Sequence, residues 1–233
     1  MSEPLKPAAE LAAAASRPWP NEPPGYRAAR EALLAEEIEL RRHIARIAGN
    51  RRSLPLGGEV APHYRFDDGS GRSLALADLF GPHDTLVAYF WMYGPERERP
   101  CPMCTNLVGP LAANAADISQ QVALALVGRS TVERQRAFAD ERGWRGLAIY
   151  QSLGDEFARD YRTLADDGSE WAGLFVFVKR GGKVYLSWAG EMGMETADPG
   201  QDPRGAPDLA PLWNILDLTP AGRPSDWYPK LDY

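Results

Sequence analysis

The chain has 233 residues, of which 44% are hydrophobic and 25% charged, and its formal net charge is −6. That length fits one domain of roughly 180 residues with an N-terminal extension. Its arginines are scattered rather than massed on one stripe, which argues against a nucleic-acid partner, and no apolar run approaches the ~20 residues of a membrane helix.

Residues 1–24 carry Glu3, Glu10 and six prolines, and predict a flexible tail. Their apolar stretch at 11–15 is too short for a secretory leader, so the expected compartment is the cytoplasm, where thiols stay reduced. Residues 25–50 predict an N-terminal helix, running from Gly25 to about Ala48. Leu33, Leu40, Ile44 and Ile47 fall at helical spacing with Leu34 and Ile38 beside them, Glu37 stands four residues before Arg41, and Gly49-Asn50 is a stop signal. Two readings of this helix stay open: an amphipathic helix docked on the domain, or a dimerisation arm that would make a homodimer.

Residues 51–233 are read as one domain. Segments 64–66 and 73–76 flank Asp67-Asp68-Gly69-Ser70-Gly71, a hairpin signal. Residues 86–92 (LVAYFWM) form a continuous apolar run, as a strand buried on both faces requires. A loop, 93–100, leads to Cys101-Pro102-Met103-Cys104 and then to a helix containing Leu107, Val108 and Leu111, which Gly109-Pro110 should kink or interrupt. Residues 122–127 read as a second strand. Ser130-Thr131-Val132-Glu133 fits a capping box opening a helix to Arg142. Then follow a strand at 147–150, a short helix at 152–161, and two strands at 174–178 and 184–188 joined through Gly181-Gly182. A loop at 191–207 precedes a last helix at 209–216, with Trp213 on its apolar face. Strands alternating with helices imply parallel βαβ units, and the late hairpin makes the sheet mixed, with helices on both faces: an α/β fold. Gly193, Gly200 and Gly205 lack the strand–turn–helix context of a phosphate loop.

The chain has two cysteines, three positions apart. Such a pair at a helix start can act as a redox dithiol, because the free N–H groups and dipole of that terminus stabilise a thiolate. It can also supply half of a zinc or iron site, or be inert. The strand–loop–helix context favours the redox reading. His43, His63 and His83 do not form a ligand-spaced set, so no metal and no cofactor are expected. In the redox reading Cys101 attacks a disulfide and Cys104 resolves the mixed disulfide, with Pro102 suited to the first helical turn. A peroxide substrate would instead take Cys101 through a sulfenic acid. Trp91, Pro102 and Trp171 are candidate walls of the site, with a core role as the alternative for Trp91. Asp84 is a candidate proton acceptor for Cys104, with a turn role as the alternative.

Several stretches carry a family resemblance. They are the entry segment Ala61-Pro62-His63-Tyr64-Arg65-Phe66, then Arg51-Arg52-Ser53-Leu54-Pro55, Tyr93-Gly94-Pro95, the Cys-Pro-Met-Cys motif, and Leu212-Trp213-Asn214-Ile215-Leu216-Asp217-Leu218-Thr219-Pro220. The entry segment resembles that of peroxiredoxin-like and thioredoxin-like domains, and the other four stretches narrow the resemblance to domain-of-unknown-function family 899, over roughly residues 25–233. The resemblance implies a thioredoxin-like fold and dithiol–disulfide oxidoreductase activity, with protein or small-molecule thiols and disulfides as partners and an unidentified electron donor. A thiol peroxidase and a non-catalytic thioredoxin-like binding module are the alternatives. Two departures from thioredoxin stand out: the eight-residue loop at 93–100, and Ser169-Glu170-Trp171-Ala172-Gly173-Leu174 where thioredoxins carry a cis-proline. The Thr-x-x-Cys of peroxiredoxins is also missing.

Overall fold

The computed structural model describes residues 4–193, 196, 198, 210–222, 224 and 226–232. Gly200, Gly205, Leu209 and the side chain of Trp213 lie outside the described residues. The chain divides into two compact units, Met1–Pro55 and Leu56–Tyr233.

In the first unit, Ala8–Ala15 forms helix α1 where the proline content predicts a tail. The physical reason is local. The eight residues AAELAAAA hold the strongest helix former, and the prolines stand outside them. Helix α2 spans Tyr26–Arg52 and runs through Gly49-Asn50 rather than stopping there. Arg51 and Arg52 in its last turn complement the helix dipole, and the Ser53 backbone N–H bonds the Gly49 carbonyl at 3.1 Å. Ala12 of α1 and Ile38 of α2 are the buried residues of this pair. Glu37 pairs with Arg30, seven residues before it, at 2.9 Å, and not with its expected partner Arg41, four residues after it. Tyr26, Leu33, Leu40 and Ile47 recur every seven residues and are exposed, with Ile44 beside them.

The second unit is built on seven strands. In chain order they are β1 (Arg65–Asp67), β2 (Leu74–Ala75), β3 (Thr85–Phe90), β4 (Ala123–Gly128), β5 (Ala148–Leu153), β6 (Gly173–Arg180) and β7 (Lys183–Gly190). Their spatial order is β2-β1-β5-β4-β3-β6-β7. Strands β3, β4 and β5 run parallel, while β6 lies antiparallel to β3 and β7 antiparallel to β6. The helices are α3 (Pro102–Ala113), α4 (Ala115–Ile118), α5 (Val132–Glu141), α6 (Glu156–Asp160) and α7 (Pro211–Asp217), with a 3-10 turn at Leu76–Phe80. A strand feeding a helix and a parallel partner, followed by an antiparallel hairpin against the first strand, is the thioredoxin-like arrangement. The hairpin turn Gly181-Gly182 holds φ of +57° and +78°, which a two-residue turn of this hand demands and glycine alone adopts freely.

Alternation along β3 sorts its side chains onto two faces. Leu86, Ala88 and Phe90 join Phe66, Phe80 and Phe157 in one core, under the 3-10 turn and α6. Tyr89 and Trp91 join Cys104, Leu107, Val108 and Phe138 in the other, under α3 and α5. Helices therefore cover both faces, and the cysteine helix closes the second core.

Three local expectations change. Helix α3 continues past Gly109-Pro110 to Ala113, with Asn114 as its C-cap. The cap of α5 is Thr131, whose hydroxyl accepts from the Arg134 N–H at 3.4 Å, not Ser130. The hydroxyl of Ser130 is buried and donates to the Gly94 carbonyl at 2.9 Å. Among the described residues, no helix is long and apolar enough to cross a membrane.

Candidate functional site

Strand β3 delivers the chain to Trp91, whose N–H still bonds the Val127 carbonyl of β4 at 3.1 Å. The chain then loops out through 93–100 and returns at Cys101, whose N–H bonds the Met92 carbonyl at 3.1 Å. Cys101 is the N-cap of α3 in extended backbone, and Pro102 occupies the first turn. Proline suits that position because an N–H there has no helical partner to lose. Cys104 follows one turn later, so both sulfurs sit at the helix start. Cys101 is partly exposed, Cys104 is only 3% exposed, and the two approach to 3.8 Å. A disulfide bond is near 2.05 Å, so these are two free thiols within easy reach of each other.

Their surroundings drive the two ionisations apart. The Cys104 thiol donates to the Cys101 sulfur, and the N–H groups of Cys104 and Met103 add to it, with the Arg97 charge behind them. Against the opposing cost of burial, these hold Cys101 down to about 6. Cys104 moves the other way. Its hydrogen bond to Cys101, its burial and the Cys101 charge all raise it, while the Met92 N–H and the Tyr89 hydroxyl pull down against them. Together these causes favour the anion on Cys101 and the proton on Cys104.

The loop before Cys101 is held by a buried charge network. Glu170, whose side chain is 8% exposed, accepts from the Gly94 N–H at 3.1 Å, from Arg97 at 2.8 Å and from Arg129 at 3.1 Å. Arg129 reaches on to Asp155 at 2.8 Å. A Cβ on residue 94 would lie 2.1 Å from the Glu170 carboxylate, so glycine is what lets that carboxylate reach the loop backbone. From the other side Arg134 donates to the carbonyls of Pro95 and Arg97 and stacks over the Tyr93 ring. A buried carboxylate with two guanidinium partners and a backbone donor has its lone pairs well used, as burial of a charge requires. The network fixes Arg97 near Cys101 and ties residue 170, which precedes β6, to the loop that precedes the cysteines.

Of the expected site walls, Trp91 is buried in the same apolar cluster as Cys104, and its indole N–H donates to the fully buried Gln135 at 3.0 Å. Trp171 is 48% exposed and lines a neighbouring cavity of about 950 Å3, together with Leu164, Phe175 and Met192. Ala172 and Leu174, rather than Trp171, are the residues of that segment in the cysteine cluster. Asp84 sits at the far end of β3, roughly 20 Å of strand away from the cysteines, and its backbone carbonyl accepts from Lys179. The buried polar group beside Cys104 is Tyr89 instead. Sequence reasoning passed over Tyr89 and Glu170. The signal for Tyr89 was available, since it shares a strand face with Trp91. Glu170 had none, because its partners lie 41 to 76 residues away. Among the described residues, no group of three or more His, Cys, Asp or Glu is placed to hold a metal ion.

A profile of the family described as "Bacterial protein of unknown function (DUF899)" matches residues 17–233. No curated protein matches the chain. Several solved structures are similar to it at low identity. One is a cysteine-to-serine mutant of PrxQ from Xylella fastidiosa, at 13% identity over 58% of this chain and 84% of that one, with a TM-score of 0.41. Another is the mitochondrial 2-Cys peroxiredoxin from Plasmodium falciparum, at 16% identity over 70% of this chain and 95% of that one, with a TM-score of 0.43. A third is an exposed lipoprotein thioredoxin from Streptococcus pneumoniae, at 12% identity over 52% of this chain and 85% of that one, with a TM-score of 0.38.

Proposed function

The chain belongs to the DUF899 family, and from that premise we propose that it is a dithiol–disulfide oxidoreductase whose nucleophile is Cys101 and whose resolving thiol is Cys104. One observation carries the reading. A partly exposed cysteine at the N-cap of a helix lies 3.8 Å from a buried one, with hydrogen bonds and charge that favour the anion on the first and the proton on the second.

The steps follow from that division. The Cys101 thiolate attacks one sulfur of a substrate disulfide, which breaks and releases one substrate thiolate. A mixed disulfide joins Cys101 to the other half. Cys104 then loses its proton and attacks the Cys101 sulfur, and the second substrate thiolate departs and takes up a proton. The substrate gains two electrons and the protein becomes the Cys101–Cys104 disulfide. A reducing thiol donor restores the pair. Met103, exposed beside Cys101, and Pro102 offer an apolar landing for the substrate, and the ion pairs of Arg97 hold the approach loop still. This chemistry suits a reducing compartment such as the cytoplasm, where oxidised substrates are the exception.

The test is trapping. A Cys104→Ser variant lacks the resolving thiol and should accumulate covalent adducts on Cys101 when offered protein or small-molecule disulfides, as read by intact mass. The Cys101→Ser variant should collect none. A Cys104→Ser protein that stays unmodified under the same treatment would end this reading.

A further inference from the structure

Resolution requires a second thiolate, on Cys104, in a place that water does not reach. Cys104 is 3% exposed, and its burial and its neighbour both oppose ionisation. A sulfur that must become an anion there needs donors already aimed at it, as an oxyanion does in other enzymes. Two are present, both from the end of β3 and the residues after it. One is the Met92 backbone N–H. The other is the hydroxyl of Tyr89, a residue 2% exposed that shares the buried apolar cluster of Cys104 and whose hydroxyl acts to hold the Cys104 ionisation down.

We propose that the Tyr89 hydroxyl is a catalytic group of the resolving step, donating to the Cys104 sulfur as it becomes a thiolate and forming with the Met92 N–H an anion site for it. The inference rests on the exchange reading above and deepens it by separating the machinery of the two half-reactions. In the reduced protein the Cys104 thiol donates to the Cys101 thiolate. Once Cys101 is tied into a mixed disulfide, its charge is gone and the electrostatic opposition to a second anion goes with it. Tyr89 and Met92 are then the donors facing Cys104. Tyr89 acts as a donor and not as a base, because burial and the adjacent sulfurs push its own ionisation well up. The bond between Cys101 and the substrate sulfur breaks, the bond between Cys101 and Cys104 forms, and the proton of Cys104 is balanced by the one the departing substrate thiolate takes up. Tyr89 ends as it began, with its proton.

The two half-reactions can be timed in the full chain with 5,5′-dithiobis(2-nitrobenzoate). Cys101 attack releases one coloured thiolate, and Cys104 attack on the mixed disulfide releases the second. In Tyr89→Phe the first phase should stay within about twofold of wild type. The second should slow by at least about tenfold, which corresponds to about 1.4 kcal/mol in barrier, and its apparent pKa should rise. Phe138→Leu is the packing control: it disturbs the same cluster with the hydroxyl retained, and should not slow the second phase selectively. A second phase within about twofold of wild type in Tyr89→Phe overturns the proposal. So does slowing of both phases together, since that marks a packing defect. A wild-type protein that never releases the second thiolate would bring down the exchange reading itself, and this inference with it.

Discussion

Cys101→Ser is expected to reduce reaction with small disulfides by at least about a thousandfold, because a neutral hydroxyl has no thiolate form to supply. In the wild type the rate should rise through a half-point near pH 6 and be flat above about pH 7, following the ionisation of Cys101. Cys104→Ala should move that half-point upward, since the Cys104 thiol is the largest single cause of the depression and alanine leaves no donor in its place. Stopped-flow kinetics across pH 5–9 measure all three; a wild-type half-point at the ordinary cysteine value would show that the helix start and its donors do nothing for the anion. Magnitudes decide what the depression is for. At pH 7 a thiol of pKa 6 is ~30 times more ionised than one at 8.5, but loses roughly tenfold in intrinsic nucleophilicity, for a net gain of only about two- to threefold. The greater benefit lies in Cys101 as a leaving group, which makes its disulfides easier to reduce and the oxidised protein a better oxidant.

The same ionisations set a pH dependence of stability in the reduced protein. Cys101 is depressed in the folded state, so the unfolded chain binds more protons between about pH 6 and 9, and stability rises with pH across that window. Cys104 is raised, so its contribution is present below the unfolded value and is lost as pH climbs past it.

The largest effect on stability is expected from Phe157→Ala. Phe157 is fully buried, lies nearly parallel to Phe90 with centroids 4.8 Å apart and to Tyr161 at 4.2 Å, and meets Tyr64 and Phe66 edge-on at 5.0 and 5.5 Å. It joins α6 to β3 and β1 in the core opposite the cysteines. Truncating such a ring costs about 3–5 kcal/mol, the transfer of the ring plus the cavity left behind. For a folded unit of this size that is a fall of roughly 6–20 °C in midpoint. Thermal unfolding followed by circular dichroism measures it. A loss below about 1 kcal/mol would mean the stacked aromatics are not the pillar of that core.

The sheet was legible in the sequence because burial leaves a trace there. The run 86–92 is apolar at every position since β3 is covered on both faces, and Gly181-Gly182 marks the hairpin because few other residues hold positive φ twice in succession. The cysteine helix was legible from the position of the pair after that strand. Helix α1 was hidden because prolines on either side of Ala8–Ala15 outweigh its alanines in a compositional reading. The cap of α5 was misplaced by one residue because Ser130 and Thr131 are both good caps, and only the fold shows that Ser130 is needed at Gly94. Glu170 was illegible for the same reason: its role depends on Arg97, Arg129 and Gly94 arriving from other elements. Local chemistry can be read along a chain, whereas a buried ion network exists only once distant segments meet.

Cys101 and Cys104 are expected to form a reversible disulfide of catalytic poise. Equilibrating the whole chain in thiol–disulfide buffers and counting free thiols by mass tests it directly. One two-electron transition in the range of about −180 to −270 mV, lost in either cysteine-to-serine variant, is the expected result. Two thiols that stay reduced through the oxidising end of the titration, or a pair that only reduces below about −300 mV as structural disulfides do, would contradict it.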